Sequence, residues 1–144
     1  MIYTIKAVAE KTQLSIDTLR YYDKEGLLPF VSRNRSGYRA FTDGDLRLLK
    51  TITCLKNTGM KLREIRQYIA YVMQGPSSVP QRQAMLTAHR ATILAEQQRV
   101  LANLKELDMK LDIYNSPQAT ELITVERAYA KAEKVANGLQ DPYQ

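Results

Sequence analysis

A single cysteine, Cys54, and a single histidine, His89, occur in 144 residues. One thiol excludes an intramolecular disulfide framework and any multi-cysteine metal or iron–sulfur cage built within one chain. No metal and no cofactor is therefore expected. No stretch approaches the roughly 18 apolar residues that a membrane span requires. The opening Met-Ile-Tyr-Thr-Ile-Lys has no arginine-rich leader ahead of an apolar run, so the expected location is cytoplasmic, with no membrane partner. Internal repeats and low-complexity tracts are also missing. An enzyme is not expected, because Cys54 and His89 fall on different elements and spacing suggests no third group to orient them.

What is present is positive charge in one half. The net charge is +6, and residues 1–73 hold 13 Lys/Arg against 7 Asp/Glu, whereas residues 74–144 hold 8 against 8. Such asymmetry points to an anionic partner for the first half, and nucleic acid fits better than a membrane because no basic amphipathic anchor accompanies it. Solubility alone is the competing account.

Capping signals divide that half into short helices. Thr4 can cap a helix carrying Ile5, Val8 and Ala9 inward, and a break at Thr12-Gln13-Leu14 leads to a second start at Ser15. Leu14 and Leu19 then form a hydrophobic staple, Asp17 complements the helix dipole, and Gly26 stops the helix. From Leu27 to Arg39 the chain is extended around Pro29, with Ser36-Gly37 at a hairpin turn. A third helix starts at Thr42, with Asp45 completing a capping box, a Phe41–Leu46 staple and a core stripe of Leu48, Leu49, Ile52 and Leu55, and stops at Gly59. A fourth, Leu62 to Gln74, carries Ile65, Ile69 and Val72 and ends at Gly75.

The segment 74–80, with Pro76-Ser77-Ser78-Val79-Pro80, reads as a linker. From Gln81 to Tyr114 one long helix places Leu86, Ile93, Val100, Leu107 and Tyr114 at d and Arg90, Gln97, Leu104 and Leu111 at a. At about 50 Å it is longer than a small domain is wide, so a second copy is the expected partner, with Leu86, Ile93, Val100, Leu104, Leu107 and Leu111 as the dimerisation residues. Polar Arg90 and Gln97 would fix register at a cost in stability. Beyond Asn115-Ser116-Pro117, a tail carrying Leu122, Val125, Tyr129, Ala132, Ala136 and Leu139 reads as a last amphipathic helix ending at Gly138, too short for a ligand-binding domain of its own. The expected organisation is a DNA-binding domain at 1–73, a linker at 74–80, a dimerisation helix at 81–114 and a short tail helix at 115–144.

The second helix and the hairpin together suit double-stranded DNA. Ser15, Thr18 and Arg20 point toward a groove, where arginine can fork onto guanine and hydroxyls can reach bases or phosphates. Tyr21 suits a phosphate. Arg33, Arg35 and Arg39 should reach phosphates or a narrow minor groove, and Tyr38 is either a phosphate donor or hairpin packing. Thr4 and Lys61 join the candidate DNA contacts.

These residues resemble the MerR family. TLRYYDKEGLL at 18–28, the hairpin RNRSGYRAF at 33–41, FTDGDLRLL at 41–49 and the Gly59-Met60 junction follow one another in that family's order. The resemblance implies a mainly α fold: a winged helix-turn-helix with a small β-hairpin wing, a long helix forming an antiparallel coiled coil in a homodimer, and a short C-terminal helix. It also implies a transcriptional regulator that binds an inverted-repeat promoter and distorts its spacer so that RNA polymerase reads both promoter elements. Lys61 departs from the pattern, standing where many relatives have a capping serine or threonine. Metal-sensing members carry cysteines near the end of the long helix, and this chain has none there.

Cys54 admits two readings. It shares a helix face with Arg47, Lys50 and Thr58, which would favour a thiolate, but it also suits an inert thiol packed under a partner's coil. The run Cys54-Leu55-Lys56-Asn57-Thr58-Gly59-Met60 is similar to the AdhR- and NmlR-type subgroup, which implies a sensor thiol for aldehydes, other electrophiles or nitrosative stress. The alternatives are control through the tail or a partner protein with Cys54 structural, or a coiled-coil protein-interaction module. His89 is expected to be solvated or an interhelical hydrogen-bond donor.

Overall fold

The computed structural model describes residues 1–144, which divide into two compact units, Met1–Ile93 and Leu94–Gln144. In the first, strand β1 (Ile2–Tyr3) leads into helices α1 (Ile5–Thr12) and α2 (Ile16–Lys24), strands β2 (Ser32–Arg33) and β3 (Arg39–Thr42), and helices α3 (Asp43–Asn57) and α4 (Leu62–Gln74). A 3-10 turn at Pro76–Ser78 precedes helix α5 (Val79–Tyr114), and the second unit adds α6 (Ala119–Ala136). The fold is mainly helical with a small sheet, as the sequence implies.

Local chemistry accounts for the helix ends. The side chains of Thr4 and Ser15 accept the backbone N–H of Ala7 and Thr18 at the starts of α1 and α2. Between these helices Gln13 takes a left-handed conformation, φ 60°, which makes the tight turn. At Thr42 both halves of the capping box form: Asp45 accepts from the Thr42 N–H at 2.8 Å, and Thr42 Oγ1 from the Asp45 N–H at 3.3 Å. Helices α2 and α3 end alike. Gly26 and Gly59 adopt φ 77° and 92°, which lets the N–H of Leu27 bond the carbonyl of Tyr22 and that of Met60 the carbonyl of Leu55. Lys61 leaves the start of α4 without a side-chain cap.

The apolar faces meet in one core, where Val8, Leu19, Phe41, Leu49, Ile52 and Ile65 are fully buried. Tyr22, Leu27, Leu28 and Leu55 belong to the same core, and Met85 of α5 packs against it. Burying such side chains contributes roughly 1.5–3 kcal/mol each before chain entropy is counted. The sheet has the order β1-β3-β2, with Ile2 opposite Thr42 and Ser32 opposite Ala40, both pairings antiparallel. Strand β1 goes beyond the two-stranded wing expected from the sequence, and it ties the start of the chain to the wing's second strand. Leu48, expected in the core stripe of α3, is half-buried.

The segment 74–80 differs from the expected linker. Ser78 is fully buried, a 3-10 turn follows the non-helical Gly75, and the first compact unit continues to Ile93. In the second unit Ala119, Ile123, Ala130, Lys131 and Lys134 are the half-buried positions of α6, and Lys110 pairs with Glu126 at 3.9 Å. The expected tail stripe of Leu122, Val125 and Tyr129 lies on the exposed side instead.

Candidate nucleic-acid interface

Helix α1, helix α2 and the wing enclose a cleft of about 420 Å³, lined by Thr4, Ile5, Arg20, Asp23, Arg33, Asn34, Tyr38 and Arg39. Five of the ten residues expected to contact DNA thus border one concavity: Thr4, Arg20, Arg33, Tyr38 and Arg39. Ser15 and Thr18 occupy the start of α2, where their hydroxyls share a 2.8 Å hydrogen bond. Tyr21 is half-exposed, with its ring 6.4 Å from that of Tyr22, the inward neighbour whose burial raises its phenol pKa. Lys61 is exposed at the start of α4, outside the cleft lining.

The wing is shaped by Asn34, which sequence reading passed over. Its Oδ1 accepts the N–H of Ser36 and of Tyr38, both at 3.0 Å, and its own N–H donates to the carbonyl of Tyr38 at 2.8 Å. An asparagine opening a four-residue Ser-Gly turn is the signal that could have found it. Arg33 Nη1 donates to the carbonyl of Gly37 at 2.7 Å, which braces the hairpin while the residue stays exposed. Tyr38, 73% exposed, is held by its backbone with its ring toward solvent, so the hairpin-packing alternative fails.

Arg39 departs from the expected free phosphate contact. Its guanidinium forms an ion pair with Asp23 of α2, and both side chains are largely withdrawn from water. Its charge is therefore already offset, and it latches the wing to α2. The other ion pair at this end of α2 joins Arg66 to Glu25 at 3.5 Å, with Arg66 Nε also donating to the Glu25 carbonyl at 2.7 Å. Arg20 and Arg35 are exposed and belong to neither pair. On the surface, Tyr3 of β1 donates its hydroxyl hydrogen to Asp43 at 2.8 Å, which lowers the Asp43 pKa and raises that of Tyr3.

Cys54 lies exposed on α3 and forms no disulfide. The Thr58 hydroxyl donates to the Cys54 carbonyl at 2.7 Å and lies 2.7 Å from His89 Nε2. The same hydroxyl lies 3.2 Å from the Leu55 carbonyl, and the imidazole tautomer sets which of Thr58 and His89 donates in their contact. His89 is thus a hydrogen-bonded bridge from α5 to the end of α3, half-buried, and not a solvated coil residue. No group of His, Cys, Asp and Glu forms a metal-binding cluster.

On α5, Val100, Leu104, Leu107 and Leu111 are 47–59% exposed, and Leu86 is 37% exposed. Ile93 is half-buried. Apart from Ile93, the seam stays exposed within the chain. No helix is long and apolar enough to cross a membrane.

Two family models match the sequence: MerR HTH family regulatory protein over residues 3–72, and MerR, DNA binding over residues 46–110. An uncharacterised HTH-type transcriptional regulator of Haemophilus influenzae is 38% identical over 119 residues, which cover 83% of this chain and 88% of that protein. The HTH-type transcriptional regulator AdhR of Bacillus subtilis is 31% identical over 90 residues, 62% of this chain and 64% of AdhR. Among solved structures, HiNmlR, a MerR family regulator lacking the sensor domain and bound to promoter DNA, aligns with a TM-score of 0.75. The identity is 38%, and the alignment covers 83% of this chain and 94% of that one.

Proposed function

Because the chain belongs to the MerR family of DNA-binding transcriptional regulators, we propose that it acts as a homodimer on an inverted-repeat promoter, whose spacer it distorts for RNA polymerase. The observation that carries this reading is a basic cleft in the first unit combined with an uncovered apolar seam on α5. A duplex offers phosphates at regular intervals to Arg20, Arg33, Arg35, Tyr21, Tyr38 and Lys61, and base edges to the start of α2 at Thr18 and Arg20. A single DNA-reading unit this small recognises few base pairs. Joining two through α5 doubles the site and makes the spacing between half-sites part of recognition. Bending or untwisting the spacer is then opposed by DNA stiffness and driven by contacts at both ends. Loss of promoter binding in a folded Arg20→Ala, Arg35→Ala double variant tests the reading, and undiminished binding would sink it.

Cys54 supplies the signal in this proposal. Its exposure admits small electrophiles. Attack on an aldehyde forms a carbon–sulfur bond while the carbonyl oxygen takes up the proton, a step that needs no oxidant or second reactant. The added group changes the volume beside Thr58 and His89, the bridge between α3 and α5. The resemblance of the run Cys54–Met60 to the AdhR- and NmlR-type subgroup points to the same thiol. Cys54→Ser should bind DNA as before and lose its response to aldehydes. A retained response favours control through the tail, where Leu122, Val125 and Tyr129 offer an exposed apolar face for a partner.

A further inference from the structure

One side chain closes the corner between α4 and α5. Helix α4 has no basic residue in its last turn, so its final carbonyls and the negative end of its dipole are not compensated from within the helix. Arg82, in the first turn of α5, reaches back to supply the missing charge. Its Nη2 donates to the carbonyls of Tyr71 at 3.3 Å, Val72 at 3.2 Å and Gly75 at 2.9 Å, and its Nε donates to Ser78 Oγ at 2.9 Å. Ser78 is fully buried, and its hydroxyl also lies 2.7 Å from the Gly75 carbonyl. The chain's ion pairs all involve other residues, so carbonyl and hydroxyl oxygens alone meet the Arg82 charge.

A planar fork that bonds several acceptors fixes a direction as well as a distance. Helix α5 cannot swing on α4 without breaking several of these bonds together. We infer that Arg82 is a positioning residue: by fixing the direction in which α5 leaves α4, it sets the half-site spacing that the protein accepts on DNA. This rests on the dimeric reading above. In a dimer joined through α5, that direction governs how far apart and at what rotation the two DNA-reading units stand, while the Arg82 donors described here are spent inside the corner.

The test uses the full-length protein and duplex DNA selected by it from a random library. From the selected sequence, variants with one or two base pairs added or removed between half-sites are prepared, together with a single half-site. Arg82→Ala should remain dimeric by sedimentation and bind the single half-site within about twofold of the parent. Its preference among spacings should fall by about tenfold, the equivalent of one charge-assisted hydrogen bond. Arg82→Lys keeps the charge without the fork and should fall between. An unchanged spacing preference in a folded, dimeric Arg82→Ala protein overturns the inference. Should that variant fail to fold, Arg82→Lys and Ser78→Ala are read in the same way, and a preference equal to the parent's in both overturns it. A parent protein without any spacing preference, or one that selects only single half-sites, refutes the dimeric reading and the role of Arg82 with it.

Discussion

Arg39 of the wing and Asp23 of α2 form an ion pair whose side chains are 17% and 26% exposed, so two elements that face DNA are joined by a contact largely withdrawn from water. Its removal separates two effects. Asp23→Asn adds net positive charge, and by electrostatics alone it should tighten DNA binding. If the pair aims the wing, the same change should weaken binding and lower stability by about 1–3 kcal/mol, between the values for exposed and buried pairs. Denaturant melts and a binding titration on Asp23→Asn decide the matter; tighter binding at unchanged stability would reduce Arg39 to an ordinary surface charge.

Arg20 and Arg35 should fail in different ways. Arg35, near the tip of the wing, can reach only the backbone or a narrow groove, so Arg35→Ala should weaken binding evenly across sequences. It should also reduce the slope of log K against log salt by about 0.9 for each phosphate lost. Arg20 lines the cleft on α2, so Arg20→Ala should relax preference at one base pair by about 1–3 kcal/mol. Titrations at several salt concentrations on matched and mismatched duplexes separate the two. A uniform loss for Arg20→Ala would demote it to a phosphate contact.

The contrast between Asn34 and Asp23 marks what could be read from the chain alone. Helix starts at Thr4, Ser15 and Thr42 were legible because a cap side chain and the backbone N–H that donates to it lie within three residues of each other. The wing turn was nearly as local, and Asn34 was missed within a readable pattern. Asp23 with Arg39, Thr58 with His89 and Ile2 with Thr42 are distant in sequence, and nothing in local spacing chooses one partner over another. The residues around Pro76 misled for a related reason. Proline and serine signal a loop locally, yet the buried Ser78 and the reach of Arg82 from the next helix make the segment a closed corner.

The Tyr3 hydroxyl gives a pH signature. Its hydrogen bond lowers the Asp43 pKa, so this contribution to stability is present above the ordinary carboxylate range and is lost as pH falls through the lowered folded value. The same bond raises the Tyr3 pKa, so its contribution is present below the usual phenol pKa of about 10 and is lost as pH rises through the folded value. Tyr3→Phe isolates the hydroxyl, since Lys11 Nζ, 5.0 Å from the ring centroid, keeps an aromatic face. The melting-temperature gap between parent and Tyr3→Phe should be widest in the neutral range and should narrow toward both acid and strong base. A gap independent of pH would mean that the hydroxyl acts through packing.

Register in the proposed dimer is open to the same treatment. Leu104 and Leu107 are about half-exposed on α5, and a charge at either would have to be buried against a second copy without a partner, so Leu104→Glu should give monomers by sedimentation. Those monomers should keep weak binding to a single half-site, because the core of the first unit draws on neither residue. Gln97 should behave in the opposite sense. At an a position its amide adds little to affinity but penalises registers that leave it unpaired, so Gln97→Leu should raise the dimer's melting temperature while admitting other oligomers or registers. Sedimentation of the two variants under the same conditions tests the pair of expectations. A monomeric Gln97→Leu, or a fully dimeric Leu104→Glu, would mean that the chains meet along a different face of α5.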